Sequence, residues 1–268
     1  MCDNRYPVIL VHGWNSHPGI WKRLVSRLDE ASIPYRRFDH TGMKCSTLPE
    51  ISESLHHYLQ EVQDDNGWSG PIDIVCHSLG ACIVRYLLEV MDGTERAHTV
   101  RQLICLGPTN NGSALAELFN DPQSGKKIIE QLTGVFIPQE FDPAVDPFVQ
   151  DVRPRSTFIH SLCAAGLRSD IIYRIIVTAN PNNIPGFFPW FEGKTWEIAE
   201  DGKYQKTLNG DGIVAHRESA LSGIPLDILS APLEQVDHLT PDQYCHIYLP
   251  KNPIVIEQVM QFLTSEAD

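Results

Sequence analysis

Short apolar runs alternating with amphipathic stretches predict a doubly wound, mostly parallel β-sheet with helices on both faces. Three observations carry that expectation. Residues 6–11, 72–76 and 101–106 are nearly unbroken apolar runs of strand length, as in strands buried on both faces. Between them Trp21, Leu24, Val25 and Leu28, and later Ile51, Leu55, Leu59 and Val62, recur at helical spacing. The runs end in His12-Gly13-Trp14, Cys76-His77-Ser78 and Gly107-Pro108, at the carboxyl ends of strands, where sheets of this kind bind ligands.

In chain order the expected elements are a strand at 6–11, a helix through 21–28, a strand at Tyr35–Phe38 and a helix through 51–62. A strand at 72–76, a helix at 81–91 and a strand at 101–106 follow. From 111 to 161 the alternation fails and Pro122, Pro138, Pro143, Pro147 and Pro154 break the chain, so about 114–165 reads as an inserted cap. Strand character resumes at 171–178. An aromatic loop rich in helix breakers and a hairpin around 200–203 then occupy about 180–208, and an amphipathic helix covers 254–263. A length of 268 residues suits one domain, 1–268, with these insertions.

Composition is that of a globular protein, 42% apolar and 21% charged. A net charge of −13 argues against nucleic acid and against electrostatic docking on anionic lipid, and leaves a neutral ester or lipid open as substrate. No run is long enough to span a bilayer and no secretory leader is visible. The expected location is therefore cytoplasmic, with a mature secreted form as the alternative. Seven cysteines without a C-x-x-C pair fit free thiols in a reducing compartment better than a zinc site.

The chemistry centres on Cys76-His77-Ser78-Leu79-Gly80, between an apolar strand and a helix. A serine on such a turn is presented beyond the sheet edge, in front of the next helix's N–H groups, as in the nucleophile elbow of serine hydrolases. Cys76 stands where a glycine is usual, and a helix N-cap is the competing role for Ser78. A serine nucleophile needs a histidine base oriented by a carboxylate, in the chain order Ser, acid, His for this architecture. Three histidines lie beyond a plausible acid: His216, His238 and His246. His238, on a loop before the terminal helix, is the expected base; His216 lies too close to the acid and His246 reads as packed. Asp211, flanked by glycines before an apolar pair, is the expected acid, with Asp227 its rival; Asp237 and Asp73 are poorer candidates. The backbone N–H groups of Trp14 and Leu79 are the expected oxyanion donors, with His12 bracing their loop. Phe187, Phe188, Trp190 and Phe191 are expected to line an acyl pocket or lid edge, or else to form a satellite core.

Several separated segments together resemble the bacterial-type lipases and esterases of the α/β-hydrolase superfamily: 7–14, 74–80, 106–113, 211–214 and 237–239. The resemblance runs along nearly the whole chain in the family's order. It implies an α/β-hydrolase fold whose sheet starts at the family's third strand, a triad of Ser78, Asp211 and His238, and an oxyanion hole of Trp14 and Leu79. Some relatives hold a structural calcium near the acid and histidine loops. Thr240 stands here where they offer a carboxylate, so neither Asp237 nor Asp242 is assigned as a ligand, and no metal or cofactor is expected. The resulting expectation is a serine carboxylester hydrolase acting on short- to medium-chain acyl esters or lipids. An acyltransferase or thioesterase with the same triad, or a silent binding protein on this fold, are the alternatives.

Overall fold

The computed structural model describes residues 5–68, 70–233 and 239–265. Among them six strands form one wholly parallel sheet in the order β2-β1-β3-β4-β5-β8. These are β1 (Val8–Val11), β2 (Tyr35–Phe38), β3 (Ile72–His77), β4 (Val100–Leu106), β5 (Ile172–Ala179) and β8 (Leu226–Ser230). The strand order reverses between β1 and β3, whose register pairs Val11 with Cys76. The loops after these two strands therefore leave the sheet side by side, at the switch point where a ligand crevice opens.

Alternation along β1 sorts its side chains between the two helical layers. Val8 and Leu10 pack with Trp21, Leu24 and Leu28 of the first helical segment and with Val255 and Val259 near the C-terminus. Ile9 and Val11 pack with Leu48, Ile51, Leu55, Ile83 and Leu87 on the other face. The elements concerned are α1 (Lys22–Glu30) and α9 (Pro253–Thr264) on the first face, α2 (Leu48–Asn66) and α3 (Gly80–Arg85) on the second. The helix of α3 runs on through 86–91 as a π turn. A capping box starts α2: Thr47 Oγ1 accepts from the Glu50 N–H, and the Glu50 carboxylate accepts from the Thr47 N–H at 2.7 Å. Left-handed Gly67, at φ 63°, ends it. The edge strands are unlike the centre. β2 exposes Arg36 and Arg37 and β8 is largely half-exposed, so charge and shortness guard the open edges.

The stretch expected to break the alternation carries four short helices, α4 (Ala114–Phe119), α5 (Gly125–Leu132), α6 (Pro147–Asp151) and α7 (Thr157–Ala165). Side-chain oxygens of Ser113, Asp146 and Ser156 cap three of them. The hairpin is present as β6 (Thr195–Ile198) paired antiparallel with β7 (Tyr204–Thr207). One turn, α8 (His216–Ser219), lies between the hairpin and β8. No described helix is long and apolar enough to cross a membrane.

Candidate active site

Ser78 follows β3 directly and holds a left-handed φ of 56°. For a residue with a Cβ that conformation costs about 1–2 kcal/mol. It is sustained because the backbone on both sides is committed: the Ser78 N–H donates to Leu106 O at 2.9 Å and its carbonyl accepts from the Ala81 N–H at 3.0 Å. Two glycines let the β1 loop close on the turn. A Cβ on Gly80 would lie 2.6 Å from His12 O, and one on Gly13 2.9 Å from Ser78 Cβ. Cys76 fits where glycine is usual because its side chain points into the sheet's packing, 3.5 Å from Cys105 Sγ.

The imidazole facing the serine belongs to His246. Its Nε2 lies 2.9 Å from Ser78 Oγ and its Nδ1 2.7 Å from Asp211 Oδ2. A carboxylate only accepts, so Nδ1 carries the proton and Nε2 is left to accept from the Ser78 hydroxyl. The expected base, His238, lies outside the described residues, and the place assigned to it between Ser78 and Asp211 is taken by His246. The sequence reading of His246 as packed was half right. It is buried, but its ring is aimed at the serine. Apolar neighbours in Tyr244-Cys245-His246-Ile247-Tyr248 concealed this, since they belong to the short helical turn that holds the ring rather than to a strand. The remaining candidate, His216, is turned away and bonds to Thr178 O.

Asp211 is placed as expected. It is 1% exposed, and its Oδ1 accepts from the Ile213 and Val214 N–H groups at 3.0 and 2.7 Å. Its own carbonyl accepts from the His246 N–H at 2.8 Å, so acid and base are joined through backbone as well as side chain. Gly107, at φ +52°, keeps the space behind them open: a Cβ there would lie 2.7 Å from Asp211 Oδ2 and 3.0 Å from His246 Nδ1. Asp227 sits in edge strand β8 opposite Ile176, and Asp73 is ion-paired with Arg101.

The N–H groups of Trp14 and Leu79 bond to no described residue and flank the serine. Their loop is braced by two stacked imidazoles, His12 and His40, 3.8 Å apart. His12 donates from Nδ1 to Gly13 O, and His40 from Nε2 to His12 O. Burial lowers the pKa of both, that of His40 to about 4, so both rings are neutral at pH 7. His77 donates from Nε2 to His246 O at 3.1 Å; burial holds its pKa well below that of a free imidazole.

Two cavities meet at Ser78 and share Trp14, Phe136 and Ile213. One is a narrow slot of about 60 Å³ walled by Leu115, Phe119, Val149, Val152 and Val214. The other, about 340 Å³, is larger and carries His17, Tyr248 and Lys251. The aromatic run expected to line an acyl pocket lines neither. Phe187, Phe188 and Phe191 are at most 1% exposed, whereas Trp190 is exposed. Phe188 packs against Gly212, where a Cβ would lie 2.7 Å from its ring, so the three phenylalanines back the Asp211 loop as a core. Leu115, Phe119, Phe136 and Val149 of the slot come instead from α4, α6 and the connection after α5, segments whose mixed pattern gave no such signal, and Val214 from the loop after Asp211. Tethers from the oxyanion loop reach the same region: Trp14 Nε1 donates to Asp146 Oδ2 at 3.3 Å and Asn15 Nδ2 to Phe136 O at 2.6 Å.

Known structures share this architecture. The mature form of the lipase BlEst2 from Bacillus licheniformis superposes with a TM-score of 0.69 at 16% identity, over 98% of this chain and 94% of that one. A lipase-esterase related protein from Clostridium acetobutylicum matches with a TM-score of 0.57 at 13% identity, over 96% and 94%. The phospholipase PlaB from Legionella pneumophila gives 0.59 at 14% identity, over 98% of this chain and 60% of that one. The likeness is one of fold, and the fold is the α/β-hydrolase fold that the sequence resemblance implied. No curated protein sequence matches the chain. The model of a family described as a domain of unknown function, DUF7379, matches residues 4–154.

Proposed function

The chain belongs to the DUF7379 family and carries the α/β-hydrolase fold, and from that premise we propose that it is a serine carboxylester hydrolase with Ser78, His246 and Asp211 as its triad. The observation that carries the proposal is the unbroken chain of short contacts from Ser78 Oγ through His246 to Asp211. In the proposed first step Ser78 Oγ attacks the ester carbonyl while His246 Nε2 takes its proton. Asp211 remains ionised and stabilises the imidazolium. The N–H groups of Trp14 and Leu79 stabilise the developing oxyanion. The tetrahedral intermediate collapses as His246 returns the proton to the departing alkoxide, leaving an acyl-enzyme on Ser78. Water, deprotonated by the same histidine, then releases the acid.

The narrow slot is the proposed acyl site. An apolar cavity of about 150 Å³ holds a benzene ring. One of about 60 Å³ suits acyl groups of roughly two to four carbons, shorter than the sequence suggested. The segment 114–165 is the proposed cap, since its Leu115, Phe119, Phe136, Val149 and Val152 line that slot. Hydrolysis of p-nitrophenyl esters from acetate to palmitate tests both claims. The expected result is activity greatest from acetate to butyrate and lost in Ser78→Ala. A folded wild-type protein that turns over none of them removes the proposal.

A further inference from the structure

The larger cavity differs from the slot in charge as well as size. In a chain of net charge −13, no carboxylate among the described residues lines it. Lys251, His17 and Tyr248 line it together with Ser78. The Lys251 ammonium stands 5.8 Å from the centre of the Tyr248 ring. Arg23 brings a second cation alongside, its Nη1 donating to Lys251 O at 2.6 Å. The Lys251 charge is felt at the site itself. His77, beside the nucleophile, is kept neutral chiefly by burial, then by His246, and more weakly by this ammonium. The nearest carboxylate of the machinery, Asp211, is 1% exposed and committed to His246, so it does not cancel Lys251 at the cavity mouth.

We propose that this cavity is the leaving-group site and that it selects esters whose alcohol portion carries a negative charge, with Lys251 as the residue that recognises it. The inference rests on the esterase reading above. With the acyl chain in the slot, the alcohol portion falls to the larger cavity, so a phosphate or carboxylate on it comes to lie near Lys251 and His17. A charge-assisted contact of this kind, partly open to water, is worth about three- to tenfold in affinity. No change in the covalent steps is required: Lys251 acts on binding, and its effect falls on KM rather than kcat.

Three butyrate esters with one acyl group and different alcohols test it: glycerol 3-phosphate, glycerol and choline. A fourth, the butyrate ester of glycolate, separates phosphate from carboxylate. The expected order of KM is anionic below neutral below cationic. The ratio between anionic and neutral esters falls toward one in Lys251→Gln and inverts in Lys251→Glu. It also shrinks with added salt. Equal KM values for all of them, untouched by Lys251→Gln, overturn this inference and leave the esterase reading standing. Should no ester be hydrolysed, the esterase reading fails and this inference, which rests on it, is overturned with it. Where the esters are hydrolysed, calorimetry of the wild-type protein with glycerol 3-phosphate against glycerol checks the site directly: binding of the phosphate that is weakened in Lys251→Gln upholds the inference, and equal or absent binding overturns it.

Discussion

The two halves of the site are held by different physics. The nucleophile half, Gly13 to Trp14 and Ser78 to Gly80, is a backbone construction. Its side of the pocket exists because two glycines allow loops to touch and a strained Ser78 is pinned between β3 and β4. The acid and base half is a hydrogen-bond construction. Asp211 and His246 lie 35 residues apart and are brought together by bonds to one another and to the backbone N–H groups of Ile213 and Val214. A strained turn needs neighbours that leave no alternative, whereas a carboxylate and an imidazole need partners that saturate them. A Cβ added at a glycine of the first half should therefore appear as lost stability, and one that disturbs the pair in the second as lost turnover.

The largest effect is expected from the proposed reacting groups. Ser78→Ala and His246→Ala should each lower kcat/KM by about 10⁴-fold or more with unfolding midpoints nearly unchanged. His238→Ala should stay within about tenfold of wild type. A collapse of activity at His238 and not at His246 would return the base to the loop first expected.

Next come the glycines. Gly107→Ala should lower kcat about 10²-fold, because its Cβ would displace the His246–Asp211 pair. Gly80→Ala meets backbone oxygens of His12 and Val11, and should lower stability by about 1–3 kcal/mol. Paired melting curves and kcat values distinguish the two. If Gly107→Ala cost only stability, the contrast between the halves would fail.

A smaller effect is expected in the slot. Phe119→Ala removes part of its wall and should move the acyl preference from butyrate toward hexanoate, raising the hexanoate-to-butyrate ratio of kcat/KM about tenfold. An unmoved ratio would place the acyl chain elsewhere.

The smallest concerns Glu218, which joins the acid loop to the cap. Its two carboxyl oxygens accept from the Ala114 and Ala215 N–H groups at 2.8 and 3.2 Å. Burial raises its pKa from 4.5 to about 8, against the pull of those two donors. Between these values the unfolded chain has released a proton that the folded chain keeps, so stability falls as pH rises from about 4.5 to 8. Urea midpoints should fall from pH 5 to pH 8, and Glu218→Gln should flatten that fall. An equal slope in the variant would assign the pH dependence to other groups.

Much of the nucleophile half was legible before folding, because it is made by short-range chain geometry. A buried strand, a serine, a glycine and a helix in ten residues leave few conformations, and Gly13 and Trp14 follow β1 in the same way. The parallel sheet was legible for a related reason: strands buried on both faces must be apolar throughout, and β1 and β3 are. Asp211 stood out through its flanking glycines, one of which leaves room for Thr195 and the other for Phe188.

The base was not legible. Local pattern cannot distinguish a histidine buried in the core from one buried with a single nitrogen facing a cavity. Only the closure of the turn at 246–251 onto the acid loop, through the His246 N–H and Asp211 O, aims that ring at Ser78. The proposed acyl slot was hidden in the same way. Its walls draw on α4, α6, the connection around Phe136 and the loop after Asp211, segments with no shared sequence pattern, and the phenylalanines that looked like a pocket pack behind Gly212. The sequence by itself determined the sheet and the turn that presents Ser78, and it pointed to the proposed oxyanion donors and acid, because each depends on neighbours along the chain. Which histidine completes the site, and which side chains bound its cavities, was decided by tertiary structure, because those contacts join residues that only folding brings within a few ångströms.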